Sequence, residues 1–265
     1  MTTINVVTLN IFSDLSLWDH RKALILQQLA TLKPDLIALQ EVSIKAENAH
    51  WLAKALDIPE VFLTPKTGSA GKKEGIAILS RVPFERAETL DLRTQNRVAQ
   101  YVLLQIKDAA LAFCNGHFFW QPGESPERLA QVELLLNWLE KIPGEPPAVV
   151  CGDFNATPES QSVHKMLSRF VSAFAVRHGH EPEYTTPTPL PRSKLKLLGT
   201  LISYLRYIKI SEFRLDWRGT LDYIFVDPRI SVLDSDLVLN QPDPLDLKIY
   251  PSDHFGLSAT LELNA

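Results

Sequence analysis

The chain has 265 residues, 45% of them hydrophobic, so it can bury a sizeable core and fits one large layered domain over residues 1–265. Its formal net charge of −4 argues against a protein that binds nucleic acid through a globally basic surface, although a local basic patch is compatible with it. We expect no secretory signal and no integral membrane segment, because no basic and apolar start or long apolar run is present. Two cysteines are too few for a disulfide framework and favour a cytoplasmic setting.

The first half of the chain predicts alternating strands and helices. A β-branched run is typical of a strand ending at Asn10, and an apolar run after Pro34 predicts a strand ending at Glu41. Between them, apolar residues recur at helical spacing. The predicted elements are strands at 4–10, 36–41 and 75–79, helices at 20–32 and within 45–56, and a Gly- and Lys-rich loop over 65–74.

The second half repeats this organisation. Ser125 followed by Pro126 predicts the start of a helix, whose apolar residues then lie on one face as far as Leu139. The continuously apolar run 148–151 is typical of a strand buried on both faces, and the alternating run 255–263 of a strand with one buried face. Further strands are predicted at 101–106 and 111–115. Two such halves predict two packed sheets flanked by helices.

Polar side chains recur where these strands end. Carboxylates that lie on rigid strands at one edge of a sheet can converge on a hard cation such as magnesium or manganese. Each site alone has a simpler interpretation, since Gly152, Asp153 and Asn155 all favour turns and a lone histidine is more often structural than catalytic. The prediction of a cation site therefore depends on the recurrence of polar residues at several strand ends and not on any single residue.

Six short motifs carry a resemblance to a known family. In chain order they are Leu9-Asn10, Leu39-Gln40-Glu41-Val42, Gly116-His117, Gly152-Asp153-Phe154-Asn155, Leu221-Asp222-Tyr223-Ile224 and Ser252-Asp253-His254. This series resembles the endonuclease/exonuclease/phosphatase superfamily and spans nearly the whole chain. The superfamily includes pancreatic-type deoxyribonucleases, abasic-site endonucleases, deadenylases, inositol-polyphosphate phosphatases and neutral sphingomyelinases. The resemblance implies an α+β fold, a four-layer α/β/β/α sandwich with two packed mixed β-sheets.

The resemblance also implies a metal site and a water-activating site. Glu41 would be the principal ligand of Mg²⁺ or Mn²⁺, and Asn10 and Asp253 would complete its surroundings. Asp153 and Asn155 would face the attacking water and the phosphate. The implied activity is metal-dependent hydrolysis of a phosphate ester by activated water, with no covalent enzyme intermediate.

Histidines are implied on both sides of the scissile group. His254 would donate a hydrogen bond to the phosphate, with Asp222 orienting its ring. His117 would lie on the other side, paired with a carboxylate. The sequence offers Glu74 for that carboxylate, and a solvated charge in a lysine-bearing loop explains Glu74 equally well.

Two further residues are candidates for substrate contact. Arg97 precedes a strand at a place where several members of the superfamily keep a phosphate-binding arginine, and a plain surface arginine is the alternative. Trp120 follows His117 in a loop, where it could contact the substrate. The alternative, which is more common for a tryptophan, is that it packs beneath that loop.

Residues 189–219 distinguish this chain from most relatives, which have a short connection there. Cationic residues outnumber the acidic Glu212 and Asp216, and apolar residues are interleaved with them. The pattern is typical of a basic, amphipathic helix that grips a nucleic-acid backbone, lies on an anionic membrane, or packs as a lid with solvated charges. The cationic residues are Arg192, Lys194, Lys196, Arg206, Lys209, Arg214 and Arg218.

Three functions follow from these observations. The first is a nuclease acting on DNA or RNA, which agrees with Glu74 and Arg97. The second is a phospholipid or phosphoinositide hydrolase at a membrane surface, which agrees with the amphipathic insertion and the net negative charge. The third, a non-catalytic binding domain, is ranked last because every matched catalytic position is filled. We expect a monomer with a phosphodiester substrate.

Overall fold

The structure is a computed structural model that describes residues 2–191 and 217–263. Its first half contains strands β1 (Thr2–Asn10), β2 (Leu36–Ser43), β3 (Glu60–Pro65), β4 (Glu74–Ser80), β5 (Phe84–Asp91) and β6 (Val98–Ile106), with helices α1 (Trp18–Leu32) and α2 (Asn48–Ala55). The second half contains strands β7 (Ala109–His117), β8 (Ala148–Asp153), β9 (Val171–Ser172), β10 (Asp222–Val226), β11 (Ser231–Val238) and β12 (Gly256–Leu263), with helices α3 (Pro126–Leu139), α4 (Gln161–Leu167) and α5 (Ala173–His178).

The strands form two six-stranded sheets of the same design. Sheet one has the order β11-β12-β1-β2-β4-β3, and sheet two has the order β5-β6-β7-β8-β10-β9. In each sheet one parallel pair, β1 with β2 or β7 with β8, lies among antiparallel neighbours. Both sheets are therefore mixed, as expected from the sequence.

Apolar burial arranges these elements in four layers. One core cluster, which includes Val6, Ala38 and Phe113, fills the space between the two sheets. A second joins sheet two to α3 and α4, and a third joins sheet one to α1 and α2. The α/β/β/α sandwich is therefore confirmed, and hydrophobic burial on both faces of each sheet stabilises it.

Two predicted boundaries were wrong in ways that matter for the site, and a third was right. The strand expected to end at Glu41 continues to Ser43 through an irregularity. The expected loop over 65–74 is shorter, because β3 reaches Pro65 and β4 already begins at Glu74. The helix expected from Ser125 begins as predicted, and the Ser125 hydroxyl accepts a hydrogen bond from the backbone N–H of Arg128.

A polar bridge joins the two sheets beneath the edge where the candidate residues lie. The Gln40 amide donates to Asn115 Oδ1 at 2.8 Å, and the Asn115 amide donates to the carbonyls of Leu39 and Ala77 at 2.9 Å. Gln40 and Asn115 are fully buried. Buried polar groups that are hydrogen-bonded to one another across the two sheets in this way fix the relative position of the sheets.

Candidate active site

Strand register brings the motif residues to one edge of the sandwich. In the parallel pair of sheet two, His117 at the end of β7 is opposite Asp153 at the end of β8. Antiparallel β10 places Asp222 opposite the same Asp153. Asn10 ends β1 in sheet one, and its amide donates to Asp153 Oδ2 at 3.1 Å, which connects the two sheets.

A β-bulge aims Glu41 at this edge. Gln40 and Glu41 of β2 together oppose Ile76 of β4, because Leu39 pairs with Ala77 and Val42 with Gly75. The backbone of Glu41 has a φ of 56°, a left-handed conformation that residues other than glycine adopt only when the surrounding structure imposes it. Its Oε2 accepts a hydrogen bond of 2.9 Å from the backbone N–H of Ser13. The sequence predicted Glu41 but not the bulge that orients it.

The Gly-Asp-Phe-Asn motif is shaped by a close approach of β7 and β8. A Cβ on Gly152, which has a φ of 147°, would lie 2.0 Å from the carbonyl oxygen of Gly116, so only glycine fits. The following Asp153 is buried, and its Oδ1 accepts the backbone N–H of Asn155 at 2.9 Å. The Asn155 amide in turn donates to the carbonyl of Phe118 at 3.1 Å.

Asp153 is held in an environment that favours its neutral form. Burial, and then the neighbouring charge of Asp222, raise the pKa of Asp153 to about 7, although His254, Asn155 and Asn10 oppose the shift. A carboxyl group with this pKa exchanges protons readily near neutral pH, as a general base does.

Asp222 and His254 form a buried ion pair. His254 Nδ1 lies 2.8 Å from Asp222 Oδ2, and that oxygen also accepts the hydroxyl of Thr185 at 2.5 Å. Burial alone would lower the pKa of His254, but Asp222, Asp153 and Asp253 together raise it to about 10. The ring is therefore a cation that leaves Nε2 as a second donor.

His117 is held in the opposite protonation state. Burial, followed by the positive charges of Arg97 and Lys66, lowers the pKa of His117 well below its usual value. The Arg97 guanidinium lies 2.7 Å from its Nε2, Asp153 Oδ2 lies 3.5 Å from the same nitrogen, and Glu74 Oε1 lies 3.8 Å from Nδ1. His117 is thus a neutral ring among charged groups.

Glu74 and Arg97 lie inside the cluster and are not solvated surface charges. Arg97 is 6% exposed, and Glu74 pairs with Lys66. Burial and the nearby Glu41 raise the pKa of Glu74, against the opposing effect of Lys66 and Arg97.

Lys66 was missed by sequence reasoning. It directly follows β3, and its side chain is only 12% exposed where it pairs with Glu74. The apolar run Val61-Phe62-Leu63 before it is the signal that would have predicted a strand ending next to this lysine. Lys66 adds a second buried cation beside Arg97 on the Glu74 side of the cluster.

The donor set suits a hard divalent cation. Glu41 and Asp253 supply carboxylates and Asn10 an amide oxygen, and both carboxylates lie near the buried guanidinium of Arg21. Arg21 donates to the carbonyls of Ile11 and Pro251, which ties the loop after Asn10 to the loop before Asp253. Oxygen ligands from β1, β2 and the loop before β12, with the backbone after Asn10 and before Asp253 held by one buried arginine, fit Mg²⁺ or Mn²⁺.

A second group of possible ligands overlaps the ion pair. One ligand atom from each of Asp153, Asp222 and His254 lies within 4.8 Å of the others. Within this group Asp222 and His254 are already hydrogen-bonded to each other.

Trp120 lies at the rim, half-exposed, and its backbone N–H donates to Gln95 Oε1 at 3.0 Å.

Most of the basic insertion, 192–216, lies outside the described residues; Trp217 and Arg218 at its end are exposed. Over the part of the chain that is described, no helix combines the length and the apolar character needed to cross a membrane.

Comparison with known proteins agrees with this geometry. The model of the Endonuclease/Exonuclease/phosphatase family matches residues 7–254. The chain is 27% identical to 2',5'-phosphodiesterase 12 of Mus musculus over 92% of its length and 46% of the relative. It is 24% identical to the CCR4-Not complex 3'-5'-exoribonuclease subunit Ccr4 of Mycosarcoma maydis over 78% of its length and 40% of the relative.

A solved structure with the same fold is the human Nocturnin catalytic domain with bound sulfate anion. Its TM-score is 0.75 at 24% sequence identity, and the match covers 99% of this chain and 95% of that one. The chain spans about half the length of the curated relatives it matches.

Proposed function

The chain belongs to the endonuclease/exonuclease/phosphatase family, and on that premise we propose that it is a metal-dependent phosphodiesterase that acts on DNA or RNA. The observation that carries this proposal is the convergence of Asp153, Asp222 and His254 beside Asn10 at the shared edge of two sheets. The names of the relatives, a 2',5'-phosphodiesterase and a 3'-5'-exoribonuclease, support a nucleic-acid substrate.

The proposed chemistry is a direct displacement by water. Asp153 accepts a proton from the attacking water, and Asn155 holds that water and the phosphate in line. His254 donates through Nε2 to a phosphate oxygen that gains charge as the new P–O bond forms. The ester P–O bond then breaks, and the leaving oxygen takes a proton from solvent. Glu41, Asp253 and Asn10 would hold a divalent cation, which would reduce the negative charge of the phosphate.

The neighbouring cations would contact the rest of the substrate. Lys66 and Arg97 offer positive charge on the His117 side, where a second phosphate group of a polynucleotide would lie. Trp120 at the rim provides an aromatic face for a base. The monomeric state, the cytoplasmic setting and the single domain over 1–265 remain predictions.

A substrate panel tests the proposal. Single-stranded DNA, RNA, bis(p-nitrophenyl) phosphate, p-nitrophenyl phosphate and sphingomyelin or phosphoinositide vesicles are each assayed with Mg²⁺, Mn²⁺ or chelator. We expect the diesters to be cleaved, chelation to reduce cleavage at least about tenfold, and added metal to restore it. Full activity after exhaustive chelation would contradict metal dependence, and hydrolysis of the monoester alone would contradict a phosphodiesterase.

The alternative is a phospholipid or phosphoinositide hydrolase at a membrane surface, which the basic, amphipathic sequence of 189–219 favours. Cleavage of the lipid vesicles with no cleavage of either polynucleotide would select this alternative. Sedimentation with anionic liposomes measures whether the chain binds such a surface.

The insertion is expected to govern substrate binding and not the chemical step. Replacing Lys194, Lys196, Arg206 and Lys209 with glutamine should weaken polyanion binding about tenfold and flatten its salt dependence, because fewer counterions are released. Hydrolysis of bis(p-nitrophenyl) phosphate should be unchanged, and deleting the insertion should likewise spare this small substrate. If the quadruple variant binds nucleic acid and anionic liposomes as the parent does at low and moderate salt, the charges are solvated and the segment has a structural role.

A further inference from the structure

Thr185 lies in a threonine-rich segment that neither the family motifs nor the proposed chemistry uses. The segment Thr185-Thr186-Pro187-Thr188 runs beside the loop that carries Asp253 and His254. The Thr186 hydroxyl donates to the carbonyl of Asp253 at 3.0 Å, and the Thr188 hydroxyl donates to the carbonyl of Ser252 at 2.6 Å. The segment therefore fixes the backbone on the N-terminal side of His254.

Thr185 itself is completely buried, and it contacts Asp222 of the ion pair and the backbone of the residue that follows His254. Its carbonyl accepts the backbone N–H of Phe255, the residue after His254, at 2.7 Å. Its hydroxyl donates to Asp222 Oδ2 at 2.5 Å, the same oxygen that lies 2.8 Å from His254 Nδ1. One residue thus sets the position of the carboxylate and of the backbone beside the ring.

The direction of the Thr185 hydroxyl proton is determined by its other contacts. The backbone N–H groups of Leu221 and Asp222 donate to this oxygen at 3.0 Å and 3.3 Å. A hydroxyl has one proton and two lone pairs, so both lone pairs are occupied and the proton is directed at Asp222 Oδ2. The hydroxyl cannot rotate away without losing these bonds.

The two carboxylate oxygens of Asp222 differ in their hydrogen bonds. Asp222 Oδ1 is buried and has no hydrogen-bond partner among the described residues, whereas Oδ2 has two donors. Rotating the carboxylate would therefore break both bonds of Oδ2 at once. The arrangement favours a single carboxylate orientation, the one that faces the His254 ring.

We propose that Thr185 is a positioning residue that holds Asp222 in the orientation required by His254, an inference that rests on the proposed hydrolytic function. Its role follows the general pattern in which a catalytic imidazole is oriented by a carboxylate and the carboxylate by a third group. Thr185 contacts neither the substrate nor the metal in this scheme, so its effect passes entirely through Asp222.

Activity measurements on matched variants test this role. Thr185→Val has nearly the same shape but lacks the hydroxyl, and Thr185→Ser keeps it. Thr220→Val is the matched control, since Thr220 is also buried and its hydroxyl donates to the carbonyl of Pro182 and not to Asp222. With bis(p-nitrophenyl) phosphate and Mg²⁺, we expect Thr185→Val to lower kcat about tenfold with KM within about twofold, and Thr185→Ser to recover most of the loss.

The double variant separates a positioning role from a loss of stability. If Thr185 acts through Asp222, Thr185→Val should add almost nothing to the loss already caused by Asp222→Asn. An equal loss of kcat in Thr220→Val, or additive losses in the double variant, would overturn the proposal.

A spectroscopic measurement keeps the inference testable if the parent hydrolyses none of the substrates. The Nδ1 proton of His254, assigned by its loss in His254→Ala, should shift in Thr185→Val and return in Thr185→Ser, because its acceptor oxygen has moved and then been restored. If the parent protein hydrolyses none of the substrates, the proposed function is refuted but the positioning role of Thr185 is not. An unchanged Nδ1 resonance in Thr185→Val would refute the positioning role whatever the activity.

Discussion

Replacing His254 with alanine is expected to lower kcat about a thousandfold while leaving the affinity for a divalent metal ion undiminished. The ring is buried, pairs with Asp222 at 2.8 Å, and has a pKa raised to about 10 although burial opposes the shift. The ring therefore remains a cation at neutral pH, and in the proposed chemistry it stabilises charge that develops on the phosphate. The oxygen ligands assigned to the metal are not removed by this change.

Two measurements check this prediction. Initial rates give kcat and KM on a diester substrate, and calorimetry with Mn²⁺ gives the metal affinity. His50→Ala is the control, because His50 is exposed on α2 and should change neither quantity. A fall in metal affinity in His254→Ala, with turnover restored by excess metal, would assign His254 to the metal site instead.

The position of the motif residues at or near strand ends was predictable because they are polar residues that lie where apolar runs stop, although several strands extend two residues further than predicted. Asn10 ends β1, and His117 and Asp153 end the parallel pair β7 and β8, so register alone brings them to a common edge. The six motifs occur in family order, which identified the two-sheet architecture before any contact was known. The fold therefore followed from the sequence, and the sequence also named the residues that the structure brings to this edge.

The orientation of the site residues did not follow from the sequence. Glu41 depends on a bulge in β2, and the bulge is recognisable only from the pairing with β4. Lys66 was read as part of a loop, and it reaches the cluster because β3 extends to Pro65. Thr185 is 37 residues from Asp222 in the chain, and no periodic pattern in the sequence indicates its hydrogen bond to that carboxylate.

Two of the unpredicted strands, β5 and β11, share a physical cause. β5 and β11 lie at the edges of their sheets, and most of their residues are exposed or half-exposed. Edge strands carry charges on their open face, which hides the apolar alternation that identifies a strand. β9 has two residues and α5 has six, too few for a periodic pattern to be recognised.

Replacing Glu41 with glutamine is expected to weaken Mn²⁺ binding about a hundredfold, and the loss of turnover should be reversed in large part by excess metal. Burial alone would raise the pKa of Glu41, but the N–H of Ser13 and the charges of Lys66, His254 and Arg97 lower it, so the carboxylate is ionised. Glutamine has the same shape and still offers an oxygen to Ser13, so the bulge is retained. The substitution therefore removes the negative charge at position 41 and keeps the local backbone structure.

The contrast with His254→Ala identifies the role of each residue. Without Glu41, the buried cations Arg21, Lys66 and Arg97 would face less negative charge and would repel a divalent ion more strongly. Excess metal can overcome weaker binding but cannot replace a missing hydrogen-bond donor, so only the Glu41 variant should recover. Glu85→Gln, on the exposed part of β5, is the matched control and should bind Mn²⁺ as the parent does. Equal losses of metal affinity in Glu41→Gln and His254→Ala would mean that the cation is bound at the Asp153, Asp222 and His254 cluster.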